Sequence, residues 1–183
     1  MLDKDFFIRD TRLVAKELLG KYLYRKIDGK LFRGIISETE AYHGKDDSAC
    51  HCSKGKTART GVMFEEGGKI YVYLIYGMYD MLNFTTMPEG FPAAVLIRGV
   101  MRAQIFQDGK FVSLDMKTDG PGKLTRGFRI TRTLNRKPLH QSSGLWVEES
   151  GIVPAEIIQT PRIGVDYAGE WKHKPWRYLV KKL

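Results

Sequence analysis

At 183 residues, with 43% hydrophobic and 28% charged side chains, the chain has the balance of one soluble globular domain and not of a disordered or membrane-spanning protein. Thirty Lys and Arg against twenty-one Asp and Glu leave a formal charge of +9, which favours a polyanionic partner, because cations that neutralise phosphates release condensed counterions. The opening MLDKDFFIRDTRLVAKELLG mixes acids and bases with its apolar residues, unlike the apolar core of a signal peptide, and no later run reaches membrane-spanning length. The expected setting is therefore the cytoplasm, beside the nucleoid in a bacterium.

The first predicted element is a helix. Asp10 can cap it, Leu13, Val14, Leu18 and Leu19 form an apolar stripe, and Gly20 stands where a helix stops. KYLYRKI and KLFRGIISETEAY read as two strands joined by a tight Asp28-Gly29 hairpin turn. From His43 to Gly68 the chain is rich in Gly, Lys, Ser, Thr and Asp, with Val62, Met63 and Phe64 as its apolar anchor, and a loop of this length is more often functional or mobile than merely connective. KIYVYLIY, a Gly77-Met78 turn and YDMLNFTT make a second hairpin, followed by the apolar strand AAVLIRGVM. In DGPGKLTRGF, Asp119 to Phe128, Pro121 sits where a helix could begin with glycine on either side, so backbone amides there could meet a phosphate. LWVEES, PAEIIQTPRIGV and WRYLV add strands, and no repeat or linker divides the chain.

The stretch ISETEAYHG carries two carboxylates on alternate residues of a basic protein. Side chains two apart on a strand share a face, so Glu38, Glu40 and Tyr42 should point the same way, with the carboxylates roughly 7 Å apart. That spacing suits the acid and base pair of an inverting glycosidase, but taken alone it better fits a surface strand whose glutamates pair with Lys or Arg. Tyr71, Tyr73, Tyr76 and Tyr79 crowd one hairpin, and Tyr76 stands next to its turn glycine. A tyrosine there can stack on bases or wedge between them, although Tyr is also a good strand former. Cys50, His51 and Cys52 are three potential metal ligands in a row, but a structural zinc site takes about four, and His43, His140 and His173 are scattered. No metal is expected. A Cys50–Cys52 disulfide would close a strained small ring, so two free thiols are expected.

Taken together, ETEAYHG, His51, YVYLIYGMYDMLN, VLIRGV, GPGKLTRGF and RIGVDYAGEWKHKPWRYLV closely resemble the alkyladenine (3-methyladenine) DNA glycosylase family, in the family's order and over nearly the whole chain. The resemblance implies an α+β fold, a single mixed domain around a curved antiparallel β-sheet with a protruding β-hairpin. It implies a monofunctional glycosylase that flips alkylated or deaminated purines out of duplex DNA and hydrolyses the N-glycosidic bond, leaving an abasic site. By matching position, Glu40 is similar to the family's general base, and Arg98 to an arginine close to the nucleophilic water. Tyr42, His51 and Tyr73 resemble the walls of the pocket for the extruded base, and Asn83 an asparagine that helps exclude normal purines. Tyr76 resembles the wedge that refills the stack. Arg59, in a stretch only loosely similar to the family, is a plausible phosphate contact, and the cysteines flanking His51 depart from the family's pattern. Glu38 is expected to orient the strand end or to pair with a basic residue.

The expected partner is double-stranded DNA containing damaged purines, met by a monomer with no cofactor and no membrane. Two readings from other classes compete. A non-enzymatic nucleic-acid binding module would use the same basic surface and tyrosines, but has little use for a carboxylate among pocket aromatics. A metal-dependent nuclease would rest on Asp46, Asp47 and His51, a cluster without a convincing ligand set.

Overall fold

Asp10 opens helix α1 (Thr11–Glu17) as the sequence predicts, its carboxylate accepting the backbone N–H of Arg12 at 2.9 Å and of Leu13 at 3.4 Å. The computed structural model describes residues 1–182. Val14, Ala15 and Leu18 are buried, but Leu13 is 44% exposed. The expected stripe is thus narrower than read: at about 100° per residue, Val14 and Leu18 face the core together while Leu13 turns away. Thr39 holds the helix to the sheet by donating its hydroxyl to Ala15 O at 2.8 Å.

Strands β1 (Tyr22–Ile27) and β2 (Lys30–His43) pair antiparallel through Asp28 and Gly29, whose φ angles of 48° and 71° are both left-handed. Such a turn matches the right-handed twist of the strands. Next come β3 (Ile70–Ile75), β4 (Tyr79–Thr85), β5 (Ala93–Gln107), β6 (Lys110–Ser113), β7 (Leu145–Glu148), β8 (Glu156–Thr160) and β9 (Arg177–Lys182). The central path runs β3-β4-β5-β2-β1-β7, with β6 on β5, β9 on β2 and β8 on β9, antiparallel throughout.

β2 and β5 form the spine, pairing from Phe32–Ile105 to His43–Ala93. Each changes its outer partner partway along. β2 takes β1 and then β9, and β5 takes β4 and then β6, so the sheet curls instead of lying flat. The register slips between Ile36 and Glu38 and again between Glu38 and Thr39, the second slip skipping Arg98 on β5. This is a mixed α+β domain on a curved antiparallel sheet.

The β3–β4 hairpin protrudes. Ile75 pairs with Tyr79, so its loop is Tyr76-Gly77-Met78, one residue earlier than the expected Gly77-Met78 turn, with Tyr76 at φ 52° and Gly77 at φ 70°. Holding a tyrosine in the left-handed region costs about 1–3 kcal/mol. Helix α2 (Pro121–Gly127) starts at Pro121 and braces the hairpin: Thr125 donates to Asp80 O at 2.9 Å, and a Cβ on Gly122 would come within 2.7 Å of the Tyr79 ring.

The polar segment after β2 folds into two 3-10 turns, His51–Lys54 and Gly61–Phe64. Cys50, Cys52, Val62, Met63 and Phe64 pack with Tyr71 and Ala94 into a second small core, against which Tyr42 and Tyr73 lie. The expectation of free thiols is corrected: Cys50 and Cys52 are joined in a disulfide, their Cα atoms 5.2 Å apart where the chain enters the first 3-10 turn. That separation falls within the usual disulfide range.

Candidate active site

A cavity of about 420 Å³ opens between the β3–β4 hairpin, the 3-10 segments and the chain after β8, a size that suits a small ligand. Tyr42, His51, Tyr73, Asn83, Tyr76 and Arg98 all line it, so six of the eight site residues chosen from sequence meet at one surface. The other two are Glu40 and Arg59. Arg59 is exposed at the rim with its guanidinium carbon 4.7 Å from the Tyr73 ring centroid, an arrangement that allows cation–π attraction.

Glu40 lies behind the wall, 0% exposed. Strand pleating places it beside Tyr42, whose hydroxyl donates to Glu40 Oε2 at 2.8 Å. The backbone N–H of Ile163 donates to Oε1 at 2.8 Å, and Arg98 Nη1 stands 3.4 Å from Oε2. All three neighbours line the cavity. Burial pushes the Glu40 carboxyl above its ordinary pKa, and Arg98, the Ile163 N–H and Tyr42 each oppose the rise. Burial and the adjacent Glu40 push the Tyr42 hydroxyl well up, so it remains a donor.

Glu38 takes no part in the cavity wall. Its Oε1 accepts from Arg98 Nε at 2.7 Å and from Arg177 Nε at 2.6 Å, the pairing with basic residues that the sequence suggested. The nearby carboxylates together hold Arg98 above its ordinary pKa although burial opposes its charge.

The aromatic walls are packed by edges and tilted faces. His51 meets Tyr73 edge-on at 4.6 Å, Tyr71 and Tyr73 are 5.2 Å apart, and His51 Nδ1 lies 3.4 Å from the Tyr71 hydroxyl. Burial, with Arg59 nearby, lowers the His51 pKa to about 4, which leaves the ring neutral at physiological pH. Asn83 is buried and spends its Nδ2 on the carbonyls of Tyr71 and Met81, at 3.3 and 3.2 Å. Tyr76 is 81% exposed at the hairpin tip.

Several cavity residues were not found from sequence. Ile163 and Tyr167 come from the segment after β8, and Tyr167, 68% exposed, donates its hydroxyl to Ala49 O at 3.2 Å. Both lie in RIGVDYAGEWKHKPWRYLV, a stretch that carries the family resemblance, but no local pattern assigns them to the cavity, since their partners lie more than 110 residues away. Asp47, a ligand in the nuclease alternative, is instead held by both Nη atoms of Arg162, at 2.6 and 2.8 Å. Among the described residues no group of three or more His, Cys, Asp and Glu side chains is placed to hold a metal ion, and no helix is long and apolar enough to cross a membrane.

Comparison with known proteins places these features in a family context. The family model described as Methylpurine-DNA glycosylase (MPG) matches residues 5–183. A protein of Methanocella arvoryzae is 47% identical over 188 residues, covering 99% of this chain and 92% of its own. One from Legionella pneumophila (strain Corby) is 45% identical over 180 residues, covering 98% and 94%. Another from Psychrobacter cryohalolentis is 43% identical over 189 residues, covering 95% and 89%. Each of the three is provisionally named a 3-methyladenine DNA glycosylase.

Proposed function

The chain belongs to the methylpurine-DNA glycosylase family and is a DNA-3-methyladenine glycosylase, a hydrolase of N-glycosyl bonds, and on that footing we propose that Glu40 activates the water that breaks the bond. The observation that supports this most is the setting of Glu40: a buried carboxylate whose three hydrogen-bonding or ion-pairing neighbours all line one aromatic cavity. A base in a duplex exposes only its edges, so the damaged purine nucleotide is turned out of the helix into this cavity. Unstacking costs a few kcal/mol, and Tyr76, projecting from the hairpin, refills the gap. Tyr42, His51 and Tyr73 then enclose the base. A neutral His51 does not repel an alkylated, cationic purine, and the tyrosine faces attract one.

The carboxylate of Glu40 stabilises the positive charge that builds on the sugar as the C1′–N bond loosens. Water adds its oxygen to C1′, its proton passes to Glu40, and the bonding electron pair leaves with the purine. A cationic 3-methyladenine departs as a neutral base and needs no acid. Arg98 holds the carboxylate pair in register, and Asn83 limits which purines fit. Among the described residues no lysine lines the cavity, which favours direct hydrolysis over Schiff-base chemistry. The product is an abasic site.

The test is Glu40→Gln, assayed for release of 3-methyladenine and hypoxanthine under single-turnover conditions. The reading expects a loss of roughly 100-fold or more, with binding to an abasic-site analogue kept. Release at the parent rate would refute it.

A further inference from the structure

Arg162 and Asp47 form an ion pair whose two side chains are both 0% exposed and that none of the roles above uses. Beyond its two bonds to Asp47, Arg162 donates from Nη1 to Ala41 O at 2.9 Å and from Nη2 to Trp171 O at 3.2 Å. Its guanidinium carbon lies 4.9 Å from the Tyr42 ring centroid and 5.1 Å from that of Trp176. Asp47 in turn accepts the backbone N–H of His43 at 3.2 Å and of Ala49 at 3.1 Å.

A pair this deep is a poor device for stability. Its Coulombic gain is set against the desolvation of two charges, and among the described residues the buried Arg162 Nε finds no hydrogen-bond acceptor. What the pair does control is position. One residue on, Ile163 places its N–H on Glu40 Oε1, and the ring on which the guanidinium lies belongs to Tyr42, whose hydroxyl holds Oε2. Asp47 ties the same guanidinium to the loop that carries Ala49 and His51 into the cavity.

We propose that Arg162 is a positioning residue for base excision, anchored by Asp47, which fixes the two donors that aim the Glu40 carboxylate. The inference rests on the reading of Glu40 as the water-activating group. The groups facing Glu40 are Glu38 and Tyr42 on β2, Tyr73 on β3, Arg98 on β5 and the Ile163 N–H, with Arg177 on β9 acting through Glu38. Loss of the Ile163 N–H weakens a contact that favours the ionised carboxylate, so the acid limb of the rate profile should move to higher pH when Arg162 is altered.

The experiment compares Arg162→Lys and Asp47→Asn with the parent protein, measuring single-turnover 3-methyladenine release against pH, affinity for a duplex containing an abasic analogue, and melting temperature. The expected result is a rate loss on the order of 100-fold at neutral pH, the scale set by a misplaced reacting group, with affinity changed less than about threefold and the acid limb displaced upward in at least one variant. A rate within about threefold of the parent, or a loss matched by the unfolded fraction with the acid limb unmoved, overturns the inference. So does failure of both variants to fold, because the pair would then be serving the fold. Glu40→Gln, run alongside, separates the two claims: if it retains activity the catalytic reading falls, and if it is inactive while Arg162→Lys behaves as the parent, only the positioning role falls.

Discussion

Arg98 makes its shorter contact with Glu38 and not with Glu40: Nε is 2.7 Å from Glu38 Oε1, whereas Nη1 is 3.4 Å from Glu40 Oε2. Glu38 therefore fixes the arginine, and the arginine fixes the electrostatics of the buried glutamate. A lysine is a point charge on a flexible stem and cannot fork between two carboxylates. Arg98→Lys should lower single-turnover base release by about tenfold or more, and Glu38→Gln should reproduce part of that loss. Rates near the parent for both would remove this pairing from the mechanism.

The pH profile follows from the burial of Glu40. Its folded pKa is raised above 4.5, and only the ionised form can take the water's proton, so the release rate should fall as pH drops through a value above the ordinary glutamate range. Weakening its cationic neighbour in Arg98→Lys should move that fall to still higher pH. An acid limb at or below the unperturbed value would contradict the assignment.

His51 links stability to pH in a defined window. Its folded pKa lies at about 4 against an ordinary value of 6.5, so the unfolded chain takes up the proton first. The stability conferred by His51 is complete above pH 6.5, declines as pH falls and is lost on passing about 4. Denaturant titrations at pH 7 and about pH 5 should show a smaller stability drop for His51→Gln than for the parent. Equal drops would mean that His51 is not the linked group.

Tyr76 is exposed enough for its removal to spare the fold. Tyr76→Ala should leave stability within about 0.5 kcal/mol, yet slow base release from duplex DNA by roughly tenfold or more, because the unstacking penalty is no longer offset. Release from single-stranded DNA, where no stack must be refilled, should change far less. Equal losses on both substrates would assign Tyr76 some other task.

Arg59, exposed beside Tyr73 at the rim, should lower the salt dependence of DNA binding when neutralised. Arg59→Gln is expected to reduce the slope of log affinity against log salt by about one, uniformly across sequences. An unchanged slope would place it off the phosphate backbone.

Local pattern alone disclosed a good part of this protein. The Asp10 cap, the Asp28-Gly29 turn and the strand runs are legible because capping, left-handed turns and the two-residue pleat each leave a short-range signature. The same pleat put Glu40 and Tyr42 on one face, and the structure joins them by a hydrogen bond. Leu13 misled because a helix of seven residues has room for only a narrow buried stripe.

Tertiary structure decided what surrounds the carboxylate. No spacing in the chain foretells that Ile163 reaches Glu40 across 123 residues, that Arg162 locks onto Asp47, or that a register slip sets Arg98 between two glutamates. Nor does it foretell that a polar loop becomes a cavity wall carrying a Cys50–Cys52 bond. Periodicity records which face a residue presents to its own element. A contact between distant segments depends on how those elements curl and dock, and its hydrogen bonds leave no periodic trace in the sequence.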